Sequence, residues 1–397
     1  MNAGRCRWAM MAGVTDPPDR SATDLLADLP LVDGHCHTIL ADPPSGDPEA
    51  FGLAATEADT APPPGISLLD GSVGLAIRRW CAPVLDLPAG GPLEEYLARR
   101  TELGADEVAH RLLRAAGLSH LLVDAGLAHP ERSDPAQLGA AAGAEVREVV
   151  RLERVAEQVA RKGVSASGFA AAYVLALAEA TIRAVATKSI LAYRGGFTGE
   201  LRARPSSTEV RTAAGRWLAR HHPQATFRLD DPVLLRFVLW CGIDQGLPLQ
   251  IHTGFGDRDL RLAAADPALL QPFLAATGPR GVPVVLLHCY PYHRQAGWLA
   301  QVYPHVHVDV GLAVAQVGAR ADALLGEFCE LTPFGKLLFS TDGFALPELF
   351  LVGAAQFRHS FGRLLTAWVA DGALPGPDAT RVAAAVGADN ARRLYGL

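Results

Sequence analysis

The chain has 397 residues, of which 49% are hydrophobic and 20% charged, and its formal net charge is −6 at pH 7. This length suits one large barrel or two smaller domains, and the composition is that of a folded globular protein. The scattered arginines and the negative charge argue against a nucleic-acid partner, and no run approaches the roughly 18 uncharged apolar residues of a membrane span. The apolar run before Thr15 is too short for a signal peptide and the six cysteines show no CxxC spacing, so we expect a cytoplasmic protein with free thiols.

Eight short apolar or β-branched runs alternate with longer helical stretches, which is the pattern of βα units around a parallel sheet. The pattern predicts a (β/α)8 TIM barrel over residues 29–397, preceded by an N-terminal extension at 1–28. The sequence of the third run is compatible with a helix as well as with a strand. The predicted strands are 29–38, 120–127, 145–153, 184–194, 247–255, 282–290, 306–312 and 336–344.

Two connections are much longer than a minimal crossover, at residues 39–119 and 195–230. Both follow strands, so they should emerge on the face where such barrels carry their chemistry. The first begins with a proline-rich loop and continues into helical sequence. We predict that 39–119 is a lid or subdomain over that face, and a purely stabilising role is an equal alternative.

The first strand carries two histidines in the sequence DGHCHT. Alternate side chains of a strand share a face, so Asp33, His35 and His37 should point one way and enter the barrel mouth together. Two histidines one residue apart are a weak signal by themselves. They could be metal ligands or ordinary histidines, and the other strands decide between these interpretations.

Three further strand ends carry metal-type ligands. His252 ends the fifth strand, His288 is predicted to point inward with Leu286 on the sixth, and Asp342 lies at the tip of the eighth. In a barrel these ends meet at one level, so the sequence predicts a single site. Imidazole nitrogens with a carboxylate suit a first-row divalent ion, and Zn2+ is the expected one.

Lys188 on the fourth strand should also face the barrel interior. An unpaired lysine is costly to bury. It therefore needs a carboxylate partner such as Asp33 or Glu153, a substrate anion, or covalent conversion, and the sequence leaves these alternatives open.

Three charged residues near strand ends are predicted to support the site. Arg194 and Arg258 are candidates for binding a substrate anion such as a carboxylate. Asp309, inward on the seventh strand, is predicted to accept a hydrogen bond from a ligand histidine and orient it.

The combination of HxH, Lys, His, His and Asp on strands one, four, five, six and eight resembles the ligand set of the amidohydrolase superfamily. The segments KSILAYRGG, LPLQIHTGFGDRDLRL and FSTDGFALPELFLVGA are similar to the amidohydrolase-related group that includes the N-terminal half of FluG-like nodulin/glutamine synthetase fusion proteins. The resemblance covers about residue 29 to the end. It implies that six residues bind one or two divalent ions, with Lys188 carboxylated where it bridges two: His35, His37, Lys188, His252, His288 and Asp342.

The activity that this resemblance implies is hydrolysis of a C–N or C–O bond by metal-activated water. Asp342 would move the proton, and His288 or the metal would polarise the carbonyl. We expect a small amide, lactone or related substrate and no nucleic-acid or membrane partner; a homo-oligomer is also expected. Two alternatives remain open: a metal-dependent decarboxylase of the same superfamily, and a metal-binding barrel without catalysis.

Overall fold

The computed structural model describes residues 26–126, 132–220 and 227–397. Most of the predicted N-terminal extension therefore lies outside the described residues, as does Cys6. The five described cysteines are free thiols, as expected. Within these ranges, none of the helices combines the length and the hydropathy needed to cross a membrane.

Eight parallel strands form one sheet in sequence order, β1 to β8. Backbone hydrogen bonds join the first strand to the segment after the last: Gly34 N donates to Phe339 O at 3.1 Å, and Asp342 N donates to His35 O at 3.0 Å. The sheet therefore curls into a barrel, which confirms the predicted fold. The strands are β1 Leu31–Cys36, β2 Leu118–Asp124, β3 Glu145–Arg151, β4 Ala186–Ser189, β5 Leu249–Thr253, β6 Val284–His288, β7 Val306–Asp309 and β8 Leu337–Leu338.

Helices connect the strands and cover the outside of the barrel. A π-helical segment, Ala385–Asp389, joins the last two helices. The α-helices are α1 Pro48–Ala55, α2 Ser72–Trp80, α3 Leu93–Leu103, α4 Ala105–Ala115, α5 Pro135–Ala142, α6 Leu152–Arg161, α7 Phe169–Ala180, α8 Ser207–Arg220, α9 Pro232–Asp244, α10 Gln271–Thr277, α11 His293–Val302, α12 Ala313–Gln316, α13 Ala321–Phe328, α14 Pro347–Ala370, α15 Gly376–Ala384 and α16 Asn390–Tyr395.

Most strands are shorter than the sequence predicted. The third run forms a strand and then a helix, the two structures that its sequence allowed: β3 ends at Arg151 and α6 begins at Leu152. The fourth strand ends at Ser189, so Arg194 lies in a 3-10 turn and not on the strand. The apolar runs locate the strands correctly, but they continue into turns because those turns are buried as well.

Two buried clusters separate the inside of the barrel from the layer between sheet and helices. Strand residues such as Leu286 belong to the large outer cluster. The smaller inner cluster takes side chains from six strands and is closed by residues of the C-terminal segment. Its members are Val32, Leu122, Val149, Ala186, Val285, Leu287, Leu338, Ala388, Ala391 and Tyr395.

The long connection after β1 contains helices α1 to α4 and is attached to the barrel by a buried ion pair. Arg100 Nε lies 2.5 Å from Glu348 Oε1, and the two side chains are 1% and 0% exposed. The Tyr96 hydroxyl donates to the same oxygen at 2.8 Å. Glu348 belongs to α14, which begins five residues after Asp342, so this contact joins the connection to the segment that carries a predicted ligand.

Candidate metal centre and active-site cavity

The two histidines of the first strand are held in one tautomer each. His35 Nδ1 lies 2.9 Å from Gln250 Oε1, and the amide nitrogen of Gln250 donates to Gly34 O and to the Tyr395 hydroxyl, so Oε1 must be the end that accepts from His35. His37 Nδ1 lies 2.8 Å from the backbone oxygen of Asp124. Both Nδ1 atoms therefore carry the proton, and both Nε2 atoms are unprotonated, which is the form that binds a metal.

The carboxylate of Asp342 meets these two nitrogens. Its Oδ1 lies 3.4 Å from His35 Nε2 and 3.6 Å from His37 Nε2. The backbone at Asp342 is left-handed, with φ 49°, a conformation that non-glycine residues rarely adopt. Asp33 stabilises it by accepting from the Thr341 amide at 2.9 Å and from the Thr341 hydroxyl at 2.5 Å. Asp33 therefore positions the tip of β8.

His288 reaches the same point by a route that the sequence did not predict. Leu287 lies in the inner cluster and Leu286 in the outer one, so the predicted inward face of β6 was wrong and regular alternation would direct His288 outward. The backbone at His288 and Cys289 is left-handed, with φ 66° and 65°, which breaks the alternation. His288 Nδ1 consequently lies 3.5 Å from Asp342 Oδ2.

His252 completes the group from β5. Its Nε2 lies 3.1 Å from the backbone oxygen of Phe255, so Nε2 carries the proton and Nδ1 keeps the lone pair. Its ring centroid lies 4.5 Å from that of His288 and 4.6 Å from that of Tyr193. The predicted imidazoles are thus brought together with Asp342 at the mouth of the barrel.

The chemistry of these groups fits a divalent cation. Both ring nitrogens of His288 and Oδ1 of Asp342 are buried without a hydrogen-bond partner among the described atoms, and an ion would satisfy Oδ1 and the unprotonated nitrogen of His288. Burial lowers the pKa of His35 and of His288 well below the ordinary value, so both are neutral. One atom each from His35, His37 and Asp342 lies within 4.8 Å of the others, a spacing that can hold one ion.

Lys188 lies inside this group, with its Nζ 2.9 Å from His35 Nε2. Its carboxylate partner is Asp124 at the end of β2, with Nζ 3.5 Å from Oδ2, so Lys188 pairs with a strand-end acid, as one of the predicted alternatives had it, but with neither Asp33 nor Glu153. Asp33 is already occupied by Thr341, while Glu153 accepts from the Ser189 hydroxyl at 2.6 Å. Burial lowers the pKa of Lys188, and the charge of Asp124 opposes that shift.

Arg151, at the end of β3, shares Asp124 with Lys188. Its Nε and Nη2 lie 2.9 and 2.6 Å from Asp124 Oδ2. The pKa of Asp124 stays far below its usual range despite full burial, because Arg151 and then Lys188 favour the ionised form. The sequence analysis missed both Asp124 and Arg151, although each is a charged residue at a strand end, the same signal that identified Asp342.

A cavity of about 420 Å3 opens above the ligands. Arg194 lines it, with Nη2 3.6 Å from Glu157 Oε1. The structure does not bring Arg258 into this cavity: its side chain is 67% exposed and pairs with Asp59. The cavity wall also includes Glu57, Arg132 and Asp257, which sequence reasoning missed because nothing in a loop sequence shows which way its side chains face.

Asp309 contacts a predicted ligand, His288, through the backbone of that ligand and not through its imidazole. Oδ1 of Asp309 accepts from the Ser340 hydroxyl and from the Gly311 amide, both at 2.9 Å, and its carboxylate also accepts from the backbone amide of His288. The side chain of Gln250 and the backbone oxygen of Asp124 orient His35 and His37 instead. A strand-end acid is one of several acceptors that can orient a ligand, and the sequence does not distinguish among them.

A parallel (β/α)8 barrel with candidate histidine and aspartate ligands at its mouth is typical of one class of metal-dependent proteins. The family model for amidohydrolases matches residues 32–397, nearly the whole chain, so this protein belongs to the amidohydrolase family. The resemblance inferred from the strand-end motifs is therefore confirmed.

The similar proteins agree with this assignment. Protein fluG of Emericella nidulans is 41% identical over 152 residues, which are 38% of this chain and 17% of that protein, so the match spans a small part of the relative. The crystal structure of a candidate metal-dependent hydrolase from Lactobacillus casei superposes with a TM-score of 0.79 at 26% identity, covering 95% of this chain and 97% of that one. A uronate isomerase from Bacillus halodurans has a TM-score of 0.62 at 12% identity, covering 94% and 95%, and shows the same fold.

Proposed function

We propose that this protein is a metal-dependent hydrolase that uses metal-activated water to cleave a C–N or C–O bond in a small, carboxylate-bearing amide, lactone or related compound. One observation supports this most directly: Oδ1 of Asp342 lies 3.4 Å from His35 Nε2 and 3.6 Å from His37 Nε2, and both nitrogens are unprotonated. We further propose Zn2+ as the ion, since the donors are imidazole nitrogens and carboxylate oxygen.

The residues around the ion have separate tasks in this mechanism. His35, His37 and Asp342 would hold a divalent ion, which would serve as a Lewis acid and lower the pKa of a bound water toward neutrality. Asp342 accepts the proton of the attacking water and returns it to the leaving group. His288 is neutral and its ring nitrogens make no hydrogen bond among the described residues, so it can donate one to the carbonyl oxygen as negative charge develops there.

The number of ions depends on the state of Lys188. As an ammonium it is held by Asp124 and donates to His35 Nε2, the lone pair that an ion would use. We propose that Lys188 is carboxylated when two ions bind, and that it is uncarboxylated and gives up its hydrogen bond to His35 when one ion binds. Incorporation of carbon-13 bicarbonate, followed by NMR on the metal-loaded protein, distinguishes the two states.

The test of this function is a product analysis with Zn2+-loaded and Mn2+-loaded protein on panels of small amides and lactones. A new carboxylate together with an amine or alcohol indicates hydrolysis; release of carbon dioxide indicates decarboxylation, and a product of unchanged mass indicates isomerisation. Asp342→Asn should abolish turnover while the fold is kept. Asp378→Asn changes an exposed carboxylate on α15 and serves as the matched control, which should retain full activity.

A further inference from the structure

Charges of opposite sign line separate sides of the active-site cavity. Arg132 lies near the ends of β1 and β2, where its Nη1 donates to the backbone oxygen of Thr38. Glu57, in the long connection after β1, lies near the loop that follows β5, because Arg258 of that loop pairs with Asp59 at 3.2 Å. The loop after β5 also contributes Asp257 to the cavity wall.

The acidic side has more carboxylates than it has basic partners. Asp59 pairs with Arg258, and Asp259 pairs with Arg228 at 3.1 Å. Within the described ranges, Glu57 makes no hydrogen bond or ion pair, and the cation that acts on it is Lys188, across the same cavity. Likewise, the only donor to the Asp257 carboxylate among those residues is the Asp259 amide, at 2.9 Å.

Glu57 and Asp257 can therefore bind a cation that belongs to a ligand rather than to the chain. Burial and, to a smaller extent, the negative charge of Asp257 raise the pKa of Glu57 to about 7. Burial also raises the pKa of Asp257. The negative charges of Glu57 and Asp257 face one cavity and repel each other, with Lys188 and Arg228 as the opposing charges, and a cation bound between them would relieve that repulsion.

The basic side shows the complementary imbalance. Arg132 Nε is buried without a hydrogen-bond partner, and Arg132 has no ion pair with a carboxylate in the part of the chain that the structure describes. The nearby Arg151 is paired with Asp124, which it shares with Lys188. Burial and the charge of Arg151 lower the pKa of Arg132, so an anion at this point would be strongly favourable.

We propose that the substrate is zwitterionic: a cationic amino group binds between Glu57 and Asp257, a carboxylate binds Arg132, and the bond to be cleaved lies at the metal centre. This inference rests on the proposed hydrolase function and names its substrate class. A second metal ion is a poorer occupant of the acidic side, because among the described residues the only group of three donors spaced for an ion is His35, His37 and Asp342.

The experiment uses matched amides on two scaffolds with Zn2+-loaded protein. The first set is L-alanyl-L-alanine, propanoyl-L-alanine without the amino group, and L-alanine ethylamide without the carboxylate. The second is L-glutamine, glutaramate and 4-aminobutanamide, which differ in the same way. We expect the zwitterion of at least one set to be hydrolysed with a kcat/KM roughly 10- to 100-fold above both relatives, the size of one lost charged hydrogen bond.

Variants assign the preference to the two sides of the cavity. Glu57→Gln should remove most of the advantage conferred by the amino group and leave that of the carboxylate, and Arg132→Gln should do the reverse. Glu49→Gln changes an exposed glutamate on α1 in the same connection and should preserve both preferences. Circular dichroism of each variant establishes that it is folded.

The outcomes separate this inference from the proposed function. If the relatives without an amino group are hydrolysed as fast as the zwitterions, the substrate class is overturned and the hydrolase function stands. If no amide is hydrolysed, the result counts against the function, and calorimetry with the same probes decides the inference. Tighter binding of a zwitterion that Glu57→Gln abolishes supports it, and equal or undetectable binding overturns it.

Discussion

Removal of the buried cation that attaches the long connection to the barrel should strongly destabilise the protein. Arg100 and Glu348 are 1% and 0% exposed, so Arg100→Met leaves a carboxylate buried without its counterion. Breaking a buried pair in this way typically costs about 3–5 kcal/mol. We expect a loss of that size in the free energy of unfolding, measured by urea denaturation and followed by circular dichroism.

Two further variants show whether the burial of the pair is responsible. Arg99→Met changes the preceding arginine, whose partners Asp86 and Glu102 are 62% and 69% exposed, so it should cost about 1 kcal/mol or less. Adding Glu348→Gln to Arg100→Met removes the orphaned charge and should recover part of the loss. The reasoning is refuted if Arg100→Met stays within about 1 kcal/mol of the parent, or if the double variant loses the sum of both single changes.

Three other variants test the supports of the site and the fold. Gln250→Leu removes the acceptor that fixes His35, so metal affinity measured by chelator competition should fall about 10- to 100-fold, and unchanged affinity would contradict this role. Burial holds the pKa of His307 at about 4, below its usual 6.5, so unfolding takes up a proton between these values and stability falls as the pH drops through them. His307→Gln should reduce the slope of unfolding free energy against pH in that window, and an identical slope would argue against the assignment. At Gly254, φ is 75° and an added Cβ would lie 2.3 Å from a backbone oxygen, whereas Gly163 has φ 74° and open space. Gly163→Ala should cost about 1–2 kcal/mol and Gly254→Ala clearly more; equal losses in urea denaturation would show that the contact is unimportant.

The ligands could be predicted from the sequence because a buried parallel strand appears as an apolar run and its functional residue follows at the C-terminal end. This rule located His35, His37, His252 and Asp342 without any knowledge of their contacts. It placed His288 correctly for the wrong reason: the alternation along β6 directs it outward, and a left-handed backbone, which the apolar pattern does not encode, turns it back.

The partners of the ligands were harder to predict, because they depend on tertiary contacts between distant segments. Several acids could have neutralised Lys188, and only the fold shows that Asp33 is already engaged by Thr341 while Asp124 is within reach. The residues that line the cavity could not be predicted for the same reason. Glu57 lies in a long connection and reaches the cavity wall through packing rather than through any local sequence signal.

The most direct test of the account is the metal content of the purified protein after loading with Zn2+ and removal of free ions, measured by inductively coupled plasma mass spectrometry. We predict at least one ion per chain in the parent, a large loss in His35→Asn and Asp342→Asn, and an unchanged content in His110→Asn, which alters an exposed histidine on α4. A parent protein that remains free of metal under every loading condition, or ligand variants that retain the full content, would contradict the claim that these residues form one metal centre.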